Sequence, residues 1–575
     1  MEFPNLNPIP TTKRMVDLFR GYNHNLRIGS GEFYRMENLS SDLYPVLSPR
    51  GIRGLYANPA SPQGLIAKEM LCYVDGSDFL LGQQRIPMNL STAHDQCPKQ
   101  LVSMGAYVLI FPDKKYINTA NPQDHGPMEA EFTTEGESHL TLCNALGEDL
   151  IPQHTGAQSP ENPENGAYWL DTSLSPPSLK QWSEAALMWT GIVSTYVKLT
   201  YPGIGAKFQA YDGISITGTP GFDGSQVLQG VGEDWLILTG ILTEATAVAG
   251  PVTVSRKLPE MDFVMECGNR LWGCRYGMDE YGEPVNRIYA SKLGDFRNWS
   301  CFMGIASDSY YVNLGSDGPF TGAISHLGSP LFFKENMLHK IYGSVPSEFT
   351  LQDTPCRGVQ PGCHESLAIV GEDLFYKSRS GICLYDGSLP RQISQALGSE
   401  TYDSAAAGAH GSKYYISMRG TEGFQLFVYD AQKGQWHRED SFHGICFASL
   451  SSELYAIDGD HNRIVALLGS GEPLEEQVSW MAETGELGLS SPERLYISRI
   501  TLRLALDVGA IMDVYAQYDH EDHWEHLASI RHCTLGSFSI PVRPRRSDYL
   551  RLKFQGRGGA KLYAMTKTME KGSED

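Results

Sequence analysis

Short apolar runs with a period of two recur along this chain, and turn residues separate them. Tyr414, Ile416 and Met418 alternate in one run. In the next, Leu426 and Val428 share one face and Phe427 and Tyr429 the other, so that strand is apolar on both sides, as burial between two sheets demands. A loose unit is built from such runs: a short apolar strand, a turn, a strand carrying Tyr or Phe, a Gly/Asp turn and a last short strand. It recurs at 64–82, 100–119, 263–299, 329–343, 366–387, 408–437 and 445–468. The spacing is about 30–45 residues, the length of a four-stranded propeller blade. Tight turns carry the expected residues at Asp386-Gly387, Asp458-Gly459, Gly268-Asn269 and Gly371-Glu372. One hairpin cannot bury a face by itself, whereas blades stacked radially can. The pattern therefore predicts an all-β fold: a β-propeller of six to eight blades, with an inserted β domain and a C-terminal β-sandwich. In "VNRIYASKLGDFRNWSCF" (285–302) a strand and a Gly-Asp turn lead to Trp299, which is expected to close a blade and be buried; Trp436 in "FVYDAQKGQWH" is read the same way. A sialidase-type Asp box, S-x-D-x-G-x-x-W, does not fit the spacing of "SKLGDFRNW".

The pattern divides the chain into an N-terminal arm with first strands (1–54), a first propeller part (55–128), an inserted β domain (129–258), a second propeller part (259–470) and the β-sandwich (471–575). The insert opens with the Pro/Asn/Gly-rich "HTGAQSPENPENGAYW", and "SPPSLKQWSEAALMW" is the place expected to hold its one short helix. In the sandwich, "RLYISRITLRLAL", "IMDVYAQYD", "HWEHLASIR", "GSFSIPVRP" and "DYLRLKFQG" read as strands, with Leu502, Leu504 and Leu506 on one face and Arg503 on the other.

Composition adds little to the fold and more to the partners. The 575 residues allow about three or four domains. Acidic residues outnumber basic ones, 67 to 46, for a net charge of −21, which argues against a general nucleic-acid binder. The 11 cysteines form no dense framework, and Cys356, Cys363 and His364 in "CRGVQPGCH" miss zinc-site spacing. The first residues lack the apolar core of a secretory leader, and no run approaches the ~18 apolar residues of a membrane span; a reducing cytoplasm is the expected site of synthesis.

His520, His523, His526 and His532 lie across a hairpin turn, where alternate side chains point apart. Asp458, Asp460 and Asn462 supply the first oxygens of a Ca²⁺ loop but lack the following Gly and the distal Glu. Neither is read as a metal site. Phosphate-loop, G-x-S-x-G and HExxH motifs do not occur. The expectation is a non-enzyme with no catalytic, cofactor-binding or metal residues and no cofactor.

"DLFRGYNHNLRIGSGEFYRMENLSSDLYPVLSPRGIRG" (17–54), with Met36-Glu37-Asn38-Leu39 and Tyr44-Pro45-Val46-Leu47-Ser48-x-Arg50, resembles the opening of tailed-phage packaged-DNA stabilisation proteins, the hub or nozzle subunits below the portal. Arg287, Tyr289, Ser291, Asp295 and Trp299 resemble a blade of the same group, and "ERLYISRITLRLAL", preceded by Trp480, its C-terminal domain. The resemblance covers about half the chain, and its motifs are structural. It implies a virion protein of the phage tail, made in the host cytoplasm. Its partners would be copies of itself in a ring, commonly six-fold, portal or adaptor proteins, tail fibre or needle proteins, and DNA touched non-specifically in the channel, with no membrane span. An acidic lumen would let DNA slide, since few phosphates would be gripped. The most basic stretch, with Arg531, Arg543, Arg545, Arg546, Arg551 and Arg557, is read as an interface. The alternative is a receptor-binding propeller that recognises host-surface glycan, with Trp169, Trp182 and Trp189 of the insert as stacking platforms. A propeller-borne glycoside hydrolase is a third reading.

Overall fold

The structure, a computed structural model, describes residues 11–92, 99–193, 195–279, 282–487, 495–519, 521–543, 547 and 549–571. Seven blade-type antiparallel meanders follow one another among them, at 62–87, 100–127, 263–313, 320–355, 368–392, 404–438 and 444–466. The fold class is the one the apolar pattern predicts: all-β, with propeller blades, an inserted β domain and a C-terminal sandwich. The chain divides into two compact units, 1–99 with 333–338 and 354–575, and 100–332 with 339–353.

In the first unit the blades are buried on both faces. Leu426 and Val428 pack on Leu454, Ala456 and Val465 of the next blade. The other face carries Tyr414, whose ring stacks 5.1 Å from Phe375, and Tyr429, 5.9 Å from Phe375. The 444–466 meander has three strands of its own, and its fourth is Gly54–Ala57, paired through Val465 opposite Leu55. A segment from before the first blade thus completes the last.

In the second unit, Val102, Leu109 and Phe111 of one blade enclose Leu271, Phe296 and Trp299 of the next. The hairpin at Gly268-Asn269 has φ of 63° and 58°, so both turn residues are left-handed, which Gly and Asn tolerate best. Trp299 is 4% exposed, as expected, and Trp436 is 2% exposed. One detail differs. Trp299 precedes the blade's last strand, which is Tyr310–Asn313. Residues 291–309 form an excursion pinned by the buried Arg270, which donates to the carbonyls of Ser291 at 2.8 Å and Ala306 at 2.8 Å.

The insert has its own core. The sheet of Ala130–Thr133, Gly213–Thr217, Gly224–Val227 and Thr253–Arg256 faces that of Ser138–Cys143, Tyr196–Thr200 and Trp235–Thr239. Leu140, Val197, Ile214, Leu236 and Val254 fill the space between. The short helix expected in "SPPSLKQWSEAALMW" is instead a hairpin, Ser178–Ser183 with Met188–Gly191. Leu179 is its core residue, and the cross-strand pair Trp182 and Trp189 outweighs the helix propensity of Glu-Ala-Ala-Leu, which forms the turn.

The C-terminal strands number fewer and run longer than expected. Leu495–Tyr518 is one strand, and Glu525–Pro541 another. The first bends near Gly509 (φ 81°), pairing with Ala560–Lys571 before the bend and Leu550–Arg557 after it. The bend lets two halves of one sheet face each other across Leu504, Leu506, Met512, Phe554 and Leu562. This sheet continues through Ser479–Thr484, Glu32–Glu37 and Gly21–Tyr22 into the 404–438 blade. Gly21 is required there: its φ is 81°, and a Cβ would lie 2.2 Å from the Trp436 carbonyl oxygen.

His437, on the blade strand at that crossing, is buried without a partner for Nδ1. Burial, helped by the Lys413 charge, pushes its imidazole down to about 3. An unfolded histidine titrates near 6.5, so between about pH 6.5 and 3 the unfolded chain binds the extra proton. Stability should therefore fall as pH drops through that window, by about 1.4 kcal/mol per pH unit from this group. Denaturation midpoints against pH should show a shallower slope for His437→Leu; an unchanged slope would place the acid sensitivity elsewhere.

Candidate functional site

The N-terminal residues that carry part of the sequence resemblance meet at one joint within the first unit. Met36 and Leu39 are buried at the inner end of the arm, and the Leu47 N–H donates to Leu562 of the C-terminal sheet. Arg50 Nη1 lies 2.6 Å from Glu475 Oε1, and its Nε donates to Asn38 Oδ1 at 2.8 Å. Arg53 reaches Glu439 Oε2 at 2.7 Å and Asp440 Oδ2 at 2.8 Å, and its guanidinium sits 4.9 Å from the Phe442 ring centre. Burial acts to raise the Asp440 carboxyl, but the Arg53 charge overrides it and holds the group below its usual value. The two arginines thus tie the arm, the exit of the 404–438 blade and the segment leading into the C-terminal sheet. Sequence reasoning noted Arg50 as a motif residue but missed Arg53. The signal available was two arginines three residues apart, bracketing Gly51, ahead of a strand.

The blade motif is also structural. Ser291 Oγ accepts from the Leu271 N–H at 3.0 Å, Asp295 Oδ1 accepts from the Arg297 N–H at 3.1 Å, and Trp299 Nε1 donates to the Phe296 carbonyl at 2.8 Å. Arg287 bonds Asn313 at 2.6 Å and lies over the Tyr311 ring.

A second candidate surface lies on the insert. Register puts His154, Trp169, Lys180, Trp182 and Trp189 on one face of a small sheet, while Leu170 and Leu179 point into the core. Trp189 packs 5.4 Å from Trp169 and 5.5 Å from Trp182. Lys180 lies 4.8 Å from the Trp169 ring centre and pairs with Asp171 at 2.7 Å. The three tryptophans do come together. Trp169 is 6% exposed, however, and only Trp182 and Trp189 offer part of their surface. Leu187 and Met188 at the hairpin turn are exposed.

The other polar clusters are held by their own neighbours. His526 bonds Ser529 at 3.0 Å; His520 and the side chain of His532 lie outside the described residues. Asp458 accepts from Arg463 at 2.9 Å and His461 at 3.0 Å, and Asp460 pairs with His443 at 2.8 Å. Burial pushes the Cys356 and Cys363 thiols up to about 11. No group of three or more potential ligands among the described residues is placed to hold a metal. In the basic stretch, Arg551 pairs with Glu486 at 3.0 Å, Arg531 and Arg543 are exposed, and Arg545 and Arg546 lie outside the described residues. No described helix is long and apolar enough to cross a membrane.

No family model and no curated protein matches the chain. Solved structures similar to it include an exo-β-1,3-galactanase of Phanerochaete chrysosporium, at 11% identity over 53% of this chain and 94% of that one, with a TM-score of 0.21. The surface component PorZ of the Porphyromonas gingivalis type-IX secretion system matches at 13% identity over 83% of this chain and 70% of its own, with a TM-score of 0.25. A family 43 arabinoxylan arabinofuranohydrolase of Bacillus subtilis matches at 8% identity over 69% and 93%, with a TM-score of 0.15. The expectation of a non-enzyme is corrected by these matches, several of which are glycoside hydrolases, and it is not carried further. At such low scores they assign no activity to this chain either.

Proposed function

We propose that the chain is a structural virion protein of a tailed phage, a tail hub or nozzle subunit that extends the portal channel and retains packaged DNA. The observation that carries this reading is the joint: Leu47 and Arg50, in the N-terminal stretch that resembles that family, tie the arm to the C-terminal sheet and to the segment leading into it. A subunit holding pressurised DNA must transmit force between its domains. A continuous sheet and a desolvated ion cluster resist such a force, where an ordinary polar linker would flex. The net charge of −21 suits a passage along which DNA slides without being gripped.

The second reading, a glycan-recognising receptor binder, draws support from the three tryptophans on one face of the insert. One set of measurements separates the two. Mass photometry of the purified chain should show a closed ring, and an antibody against it should label the tail end of virions. A monomer absent from virions would overturn the nozzle reading. Glycan-array binding abolished by Trp189→Ala, without ring formation, would establish the second.

A further inference from the structure

We propose that Ser316, His339 and Asp353 form a nucleophilic site that hydrolyses neutral carboxylic esters. Ser316 lies in the connection between Tyr310–Asn313 and Phe320–His326, His339 on Met337–Tyr342 and Asp353 on the neighbouring strand Thr350–Pro355. Ser316 Oγ is 3.0 Å from His339 Nε2, and His339 Nδ1 is 2.6 Å from Asp353 Oδ1. A carboxylate on Nδ1 fixes the proton there, which leaves Nε2 as the acceptor facing the serine hydroxyl. This is the order of contacts that activates a serine: nucleophile, base, then a group that orients the base.

The surroundings suit the chemistry. His339 is fully buried, and the Phe320 ring packs 6.3 Å from it, so the imidazole is held in place. Ser316 is half-buried, and its carbonyl accepts from Asn286 Nδ2 at 2.6 Å, which anchors the loop. Gly315 and Gly318 flank the serine region, and a Cβ on either would meet nothing within 4 Å, so the loop on both sides of Ser316 is uncrowded. The proposal assigns the developing oxyanion to backbone N–H groups of the Ser316 loop. The carboxylates of Asp317 and Asp353 disfavour an anionic substrate, hence the neutral ester.

In the reaction, Ser316 Oγ attacks the ester carbonyl carbon and gives its proton to His339 Nε2. The bond from that carbon to the alcohol oxygen breaks, and the proton passes to the departing alkoxide. Water then attacks the acyl-serine in the same way, releasing the carboxylic acid and restoring the serine. Asp353 is a positioning residue, since it acts through His339.

The test is labelling of the full chain with a fluorophosphonate probe, mapped by mass spectrometry, together with hydrolysis of p-nitrophenyl acetate. Ser316 should carry the label, and Ser316→Ala should abolish both signals. His339→Gln, checked for a native circular dichroism spectrum, should slow labelling at least ~100-fold. Asp353→Asn should slow it and shift its pH profile, and Asp353→Glu should restore part of the rate. No label on Ser316, or labelling indifferent to His339→Gln in a folded variant, would show the triad to be a structural hydrogen-bond chain. Ser316→Ala removes a single hydroxyl from a half-buried loop position, so it decides the matter even if the histidine variant fails to fold. This outcome is independent of whether the chain is a virion subunit.

Discussion

Arg53→Met should destabilise the chain by about 3–5 kcal/mol, the usual result of removing one partner from a buried ion pair. Arg53 is the shared cation for Glu439 at 2.7 Å and Asp440 at 2.8 Å, and both it and Glu439 are buried. Removing it strands the Glu439 carboxylate in low dielectric. Arg50 is the nearest cation left, at 3.7 Å, and its own short contact is with Glu475 at 2.6 Å. Converting the partner as well, in Arg53→Met/Glu439→Leu, should recover much of the loss, because two apolar side chains replace a desolvated pair. The check is a guanidinium midpoint followed by tryptophan fluorescence for the wild type, the single variants and the double variant. A single-variant loss below about 1 kcal/mol would mean that water reaches the cluster, and the joint would then not be locked.

The blades were legible because their pattern is local. Tyr414, Ile416 and Met418 are all fully buried, and the Gly268-Asn269 turn forms where the sequence puts it. The misread features depend on distant partners. Gly54–Ala57 joins a blade some 400 residues later in the chain, and nothing in "GLYA" names that partner. The bend in Leu495–Tyr518 is set by two different strands pairing with its two halves, so apolar alternation shows its faces but not its continuity. The hairpin at 178–191 is the exception: its deciding contact, the Trp182–Trp189 pair, is local, and the helix propensity of Glu-Ala-Ala-Leu masks it in the sequence. Ser316, His339 and Asp353 are separated by 23 and 14 positions and match no linear motif; only the adjacent placement of two strands and a loop brings them together. Arg53 was invisible for a similar reason, since its burial depends on acids nearly 390 positions away.

Trp299→Ala should cost about 3–5 kcal/mol, the range for truncating a buried tryptophan. The indole fills the space between two blades of one unit, against Leu109, Leu258, Leu271 and Phe296, and its Nε1 closes the turn by donating to the Phe296 carbonyl at 2.8 Å. Alanine would remove both the ring and that bond. Collapse into the void is restricted from either side. Tyr107 and Tyr116 already press on Phe296, at 5.1 and 5.4 Å between ring centres. Behind the turn, Asn298 donates to the Tyr211 carbonyl at 2.7 Å and accepts from the Gly213 N–H at 3.2 Å, so the backbone cannot close inward without breaking the link to the insert. Trp299→Phe keeps most of the volume but lacks the N–H, and should cost clearly less than alanine. Thermal and denaturant midpoints of the two variants check this. Equal losses for Phe and Ala would assign the effect to the hydrogen bond and not to packing, and a loss under about 1 kcal/mol for Ala would mean the two blades are not sealed by this side chain.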